Sequence, residues 1–203
     1  YAFWGEVGML PDIRAKLKPI ADKIRERFGA STRPLDKKNF LADVELFLSI
    51  YNRSLTNTWG FVPMSEDEVK HMAKGLRYLM VPELAVGLEV DGKTVGAVFG
   101  LPDYNPRIRQ IDGRLFPFGF LRLLWRKHTI KRIRVISTNV LPEYQLMGLS
   151  LVLLDALVPK AMEWGIQEAE FSWVLESNSL SRGSLEKGGA KRTKTYRLYD
   201  YQR

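Results

Sequence analysis

The sequence predicts a fold of the mixed α/β class, and three stretches carry the prediction. Ile133 to Leu141 is rich in β-branched residues and stops at Pro142, which cannot donate to a sheet ladder. A short turn with one glycine follows, and then apolar residues recur at helical spacing: Leu149, Val152, Leu153, Ala156, Leu157 and Met162. Leu84 to Val90 and Lys93 to Leu101 read as strands joined by Asp91-Gly92, a pair suited to a type I′ hairpin. Ser65-x-x-Glu68 is a capping box that opens a helix running to about Met80, closed by Pro82.

The remaining elements follow in order. Residues 12–28 form a basic amphipathic helix with Ile13, Leu17, Ile20, Ala21, Ile24 and Phe28 on one face and Gly29 as its stop; Pro19 predicts a kink or a late start. We therefore expect residues 1–29 to be an extension or linker helix, or equally an ordinary extra helix packed on the sheet, and residues 30–203 to be the domain proper. Ala30 to Leu35 is a short strand, and Asp36 can cap a helix over Lys37 to Arg53 that buries Phe40, Val44, Phe47, Leu48 and Tyr51. The loop from Asn52 to Met64 holds Asn57, Trp59 and Phe61. Glu168 to Val174 is a further strand, Gly188 and Gly189 end a helix behind it, and Lys191 to Tyr201 reads as a closing strand.

Composition bounds the function. The chain is 45% hydrophobic and 27% charged, which fits a globular protein, and no apolar run is long enough to span a membrane. Without cysteine there is no disulfide, thiolate nucleophile or thiolate metal site, and His71 and His128, far apart in sequence, give a histidine metal centre or a Ser–His–Asp triad little to work with. No signal or transit peptide is visible, so a cytoplasmic location is expected; the start at Tyr1 reads as a cut from a longer chain.

The turn between the central strand and helix carries the chemistry. A strand that enters a tight turn and opens a helix leaves main-chain N–H groups free at the positive end of the helix dipole. That is an anion site suited to a pyrophosphate; the plain alternative is a buried strand–helix unit with no ligand. Val140-Leu141-Pro142-Glu143-Tyr144-Gln145-Leu146-Met147-Gly148-Leu149-Ser150 resembles the V-x-P-x-x-Q/R-x-x-G-x-G/A signature of the GNAT (Gcn5-related N-acetyltransferase) superfamily, with Ser150 at the last small position. Downstream, Asn178, Ser181 and Glu186-Lys187-x-Gly189 are similar to that family's second signature, N-x-x-A-x-x-x-Y-E-K-x-G-F.

The resemblance implies a mixed, mostly antiparallel sheet flanked by helices, splayed in a V between the fourth and fifth strands. It implies acetyl-CoA or another acyl-CoA as cosubstrate, no metal, and acyl transfer, acetyl before any longer chain, to a small-molecule or peptide amine. By the same resemblance Gln145, Leu146, Met147, Gly148, Leu149 and Ser150 would hold the pyrophosphate. Asn139, Val140 and Leu141 would meet the pantetheine arm, and Asn178 would also contact the coenzyme. Asn57, Trp59 and Phe61 would line the acceptor pocket, unless these aromatics only anchor their loop on the core.

Two catalytic groups usual in the family are missing. Arg134 to Asn139 holds no carboxylate, and the tyrosine position of the second signature is Leu185. Glu176 is the remaining candidate base, and Ser137, Tyr196 and Tyr199 are candidate proton donors. A domain that binds a coenzyme without turnover, within a larger protein, is the competing reading.

Residues 102–130 exceed the short connection expected between the third and fourth strands. From Asn105 to Arg134 there are nine basic residues and one acid, a net +8 that equals the charge of the whole chain. This segment suits an acidic partner, such as an acyl carrier protein donating a long chain, or an anionic membrane surface. The simplest expectation is a helical insert that packs its aromatics on the sheet with arginines outside. Specific nucleic-acid binding is not expected, since no recognition motif accompanies the charge.

Overall fold

The computed structural model describes every residue except 7, 9, 200, 202 and 203. One seven-stranded sheet organises it, in the order β2-β3-β4-β5-β6-β1-β7. In chain order the elements are β1 (Ala2–Glu6), α1 (Leu10–Phe28), β2 (Ser31–Pro34), α2 (Phe40–Ser54), α3 (Glu66–Leu79), β3 (Ala85–Val90) and β4 (Lys93–Pro102). Then come α4 (Asn105–Gln110), α5 (Gly119–Leu124), β5 (Arg132–Val140), α6 (Leu149–Trp164), β6 (Glu168–Ser172), α7 (Ser179–Lys187) and β7 (Lys191–Lys194). All strand pairs are antiparallel except β5 with β6.

The hairpin forms as its turn chemistry requires, with Asp91 and Gly92 at φ 51° and 72°. The capping box is complete: the Glu68 amide donates to Ser65 Oγ at 3.3 Å and the Ser65 amide to Glu68 Oε2 at 2.7 Å. Asp36 does not cap α2. It accepts from the Lys38 amide and the Asn39 side chain, and the helix starts later, after Asn39. Asp43, inside α2, accepts from both terminal nitrogens of Arg33 at 2.6 and 2.8 Å and so ties the helix to β2. α1 runs through Pro19 without a late start, and the side chain of Ile13 lies outside the described ones.

The expected boundary after residue 29 is not a boundary in the sheet. β1 lies between β6 and β7, with Ala2 and Phe3 fully buried, so the N-terminal segment supplies an inner strand. α1 belongs to the body too: Ala21 is fully buried, and Arg25 donates to the buried Asp155 of α6 at 2.7 Å. The closing strand is shorter than expected, ending at Lys194, and Tyr196 and Tyr199 lie beyond it.

Two apolar clusters sandwich the sheet. One gathers Ala21, Val86, Leu88, Val98, Ile133 and Val135 with Val152, Leu153 and Leu157 of α6. The other gathers Val44, Phe47, Leu48, Val69 and Ala73 of α2 and α3 with Ala97 and Phe99 of β4. Among the described residues no helix is long and apolar enough to cross a membrane, and no cluster of three His or acidic groups could hold a metal.

Candidate active site

Strand β5 changes face partway along. Its register against β4 pairs Gly100 with Val135 but Phe99 with Ser137, so Ile136 is an extra residue, a β-bulge. Ahead of the bulge, Ile133 and Val135 pack on the α6 side. Behind it, Ser137 and Asn139 stand opposite Phe99 and Ala97, on the α2–α3 side. Two glycines of β4 allow this close fit. A Cβ at Gly100 would lie 2.4 Å from Ile133 Cδ1, and one at Gly96 would lie 2.9 Å from Asn139 O.

The same point marks the end of the β5–β6 ladder. The last paired residues are Val135 and Phe171, while β5 runs on for five residues, Ile136 to Val140, alongside β4 alone. Ile136 and, past the end of β6, Trp173 are exposed there.

At the far end of β5 the turn is held by side chains and left open in its main chain. Gln145 Nε2 donates to Val140 O at 3.1 Å and to Ser54 O at 3.3 Å, and Arg53 pairs with Glu143 at 3.2 Å. These contacts bring the C-terminal end of α2, and the loop behind it, against the turn. The Gln145 amide bonds to Pro142 O at 3.2 Å. By contrast, among the described residues no hydrogen bond is made by the N–H of Leu146, Met147, Gly148, Leu149 or Ser150.

Leu146 and Gly148 take positive φ of 64° and 75°, and α6 begins at Leu149 with no side-chain cap. α1 backs this turn: a Cβ on Gly148 would meet Ile24 Cδ1 at 2.8 Å. Glycine is thus needed here for both its φ and its lack of bulk.

The sequence-derived site residues divide into groups. Leu146 to Ser150 lie together on the turn and the start of α6, with amides unpartnered among the described residues. Asn139 is buried with Nδ2 unpartnered, and Ser137 Oγ is likewise buried and unpartnered. Trp59 and Asn57 are exposed on the α2–α3 loop, whereas Phe61 packs edge-on against Tyr51 at 5.5 Å. Trp59 is therefore not a core anchor. Asn178 caps α7, its side chain accepting from the Ser181 amide at 3.0 Å.

Glu176 accepts from Tyr1 Oη at 2.5 Å and from Arg197 at 3.3 Å. The Tyr1 hydrogen bond holds its carboxyl below the usual range, which makes it a weak base. Tyr196 is half-exposed beside Trp173, and Tyr199 is exposed and apart from any strand or helix.

One group escaped sequence reasoning. Glu170 of β6 is buried and forms a network with Arg134 at 3.3 Å, Ser172 Oγ at 3.0 Å and Lys194 at 3.8 Å. The alternation Glu168, Glu170, Ser172 facing Arg132 and Arg134 was the available signal. Together these residues make a polar floor on the α2–α3 side. It opens into a hollow of about 550 Å³ lined by Trp4, Asp103, Arg109, Arg132, Glu170 and Lys194.

No protein-family model matches the chain. It is 33% identical over 192 residues to Protein YghO of Escherichia coli K12, covering 92% of this chain and 49% of that protein. It is 33% identical over 178 residues to the bacterial ceramide synthase of Caulobacter vibrioides, covering 85% of this chain and 46% of that protein. The chain thus spans about half the length of these relatives. Among solved structures it superposes on yncA, a putative acetyltransferase from Salmonella typhimurium solved with acetyl-CoA. The TM-score is 0.53 and the identity 19%, over 79% of this chain and 78% of that one. Other N-acetyltransferases superpose at similar scores. The mixed sheet, its flanking helices and these superpositions agree: the chain has the fold of the GCN5-related N-acetyltransferases.

Proposed function

We propose that this chain is an acyl-CoA-dependent N-acyltransferase whose donor carries a fatty acyl chain. The observation that carries the reading is the row of five unpartnered amides from Leu146 to Ser150 at the start of α6. A diphosphate supplies the anionic oxygens that such a row requires. The tail of β5, paired with β4 but not with β6, offers a path for the pantetheine arm from those amides to Ser137. In the solved neighbours, acetyl-CoA and CoA accompany this fold, which supports a coenzyme A donor.

The chemistry is amide formation. The amine nitrogen attacks the thioester carbonyl, the C–S bond breaks, and the thiolate takes up a proton as the nitrogen loses one. Ser137 Oγ, buried and without a partner, is the side chain best placed to donate to the thiolate or to the carbonyl. Glu176 is not a strong base here, and Glu170 is already paired with Arg134 and Lys194. Positioning must therefore supply much of the acceleration.

A long acyl group is favoured over acetyl by two observations. Ile136, Trp173 and Tyr196 leave apolar surface exposed where β5 and β6 part, and one relative is a ceramide synthase, a name that denotes N-acylation of a long-chain amine. The test is thiol release from acetyl-, octanoyl- and palmitoyl-CoA with a long-chain amino alcohol as acceptor. Release that rises with chain length supports the proposal. Tight coenzyme binding without release would favour the second reading, a coenzyme-binding domain that does not turn over.

A further inference from the structure

The insert between β4 and β5 is built unlike the rest of the surface. Arg107 acts as its internal clamp: Nη1 donates to Leu123 O at 2.9 Å and Trp125 O at 2.5 Å, and Nη2 to Arg126 O at 3.1 Å and Thr129 Oγ1 at 3.0 Å. Lys127 Nζ donates to Tyr78 O and fastens the insert to α3. Arg132 and Arg134 are committed to Glu168 and Glu170. That leaves Lys131 and four arginines, Arg109, Arg114, Arg122 and Arg126, which among the described residues make no side-chain hydrogen bond or ion pair.

The aromatics do not pack on the sheet as the sequence led us to expect. Phe116 is 81% exposed, Phe118 72% and Trp125 66%, and α5 has no buried residue. Phe118, Leu121, Arg122, Trp125 and Arg126 share the wall of one open hollow of about 500 Å³. Unpaired guanidinium groups and exposed rings on one rigid segment suit an interface with charge at its surface and hydrocarbon beneath it.

We propose that this insert is a docking surface for an anionic lipid bilayer, with Phe116, Phe118 and Trp125 entering the headgroup–acyl boundary and the four free arginines meeting lipid phosphates. An acidic carrier protein would satisfy the arginines but leave three large rings without hydrocarbon, so the bilayer accounts for more of the surface.

The test is co-sedimentation of the chain, without coenzyme, with phosphatidylcholine vesicles and with vesicles containing about 30% phosphatidylglycerol. Binding is expected to the anionic vesicles only, weakened at least tenfold between about 0.1 and 0.5 M salt. Replacing Arg122 and Arg126 by Gln should lower partitioning by about 25-fold, at roughly fivefold per arginine. Phe116→Ser combined with Phe118→Ser should abolish binding even at low salt. In the unaltered chain, brominated lipids should quench the fluorescence that Trp125→Phe removes. Equal partitioning to both vesicle types, absence of quenching, or binding to an acidic carrier protein with none to vesicles would each overturn the proposal. Because coenzyme is absent throughout, this result and the donor-site result can fail separately.

Discussion

The turn after β5 and the basic insert are both suited to phosphate, and they are built in opposite ways. In the turn, a side chain serves the scaffold and the main chain is left open: Gln145 secures Val140 and Ser54, and five amides have no partner among the described residues. In the insert, Arg107 saturates the carbonyls of Leu123, Trp125 and Arg126, and other side chains are left open. Main-chain donors at a helix start are fixed in space and suit one bound diphosphate of defined shape. Unpaired arginines on long stems suit a surface whose phosphates are mobile. On the two proposals above, the difference separates a donor site from a docking face.

Substitutions can break each side of this contrast alone. The largest effect is expected from Ser150→Asp, which places a carboxylate in the first turn of α6 beside the free amides. Acyl-CoA affinity should fall on the order of 100-fold through like-charge repulsion. The fold should not suffer, because an anion at a helix N-terminus is favourable, and the melting temperature should rise by roughly 1–3 °C. This variant separates binding from stability better than a change at Gly148, where φ of 75° and contact with Ile24 would damage the fold as well.

Arg107→Met comes next. It keeps the bulk but leaves three carbonyls without their donor, at a local cost of about 1–3 kcal/mol. Hydrogen exchange over residues 119–129 should quicken at least tenfold. Exchange at 146–150 and acyl-CoA affinity should stay within about twofold, since the two regions share no contact in the clamp.

The smallest effect concerns Glu176. Its folded-state pKa is depressed, first by the Tyr1 hydroxyl, so its contribution is present above the unfolded value of about 4.3 and is lost as pH falls through the folded value. Glu176→Gln should therefore melt lower than the unaltered chain by less than about 2 °C at pH 7. The two should converge as pH falls through that folded value. Thiol release by the variant should stay within about threefold, because a carboxylate held at low pKa is a poor base. A hundredfold loss would restore Glu176 as the catalytic base.

Much of the fold was legible because its local signals agree with one another. The hairpin at Asp91-Gly92, the capping box at Ser65 and Glu68, and the strand–turn–helix around Gly148 each rest on a few residues whose chemistry has one good solution. β1 was not legible. Ala2 and Phe3 are both fully buried between β6 and β7, so the alternation that marks a half-exposed strand is missing. The bulge at Ile136 was also hidden, since it arises from register against β4 and decides which face receives Ser137. The insert misled for a different reason. Aromatic residues ordinarily predict burial, and only the structure shows that Phe116, Phe118 and Trp125 have no core to enter.

Whether the amides of residues 146–150 bind a diphosphate is read out by ¹⁵N-resolved NMR titration of the chain with coenzyme A, followed by titration with pantetheine, which lacks the diphosphate. The account predicts that the amide signals of Leu146, Met147, Gly148, Leu149 and Ser150 shift downfield together and saturably with coenzyme A, and stay in place with pantetheine. Shifts confined to the arginine-rich insert, or equal shifts with both compounds, would contradict it.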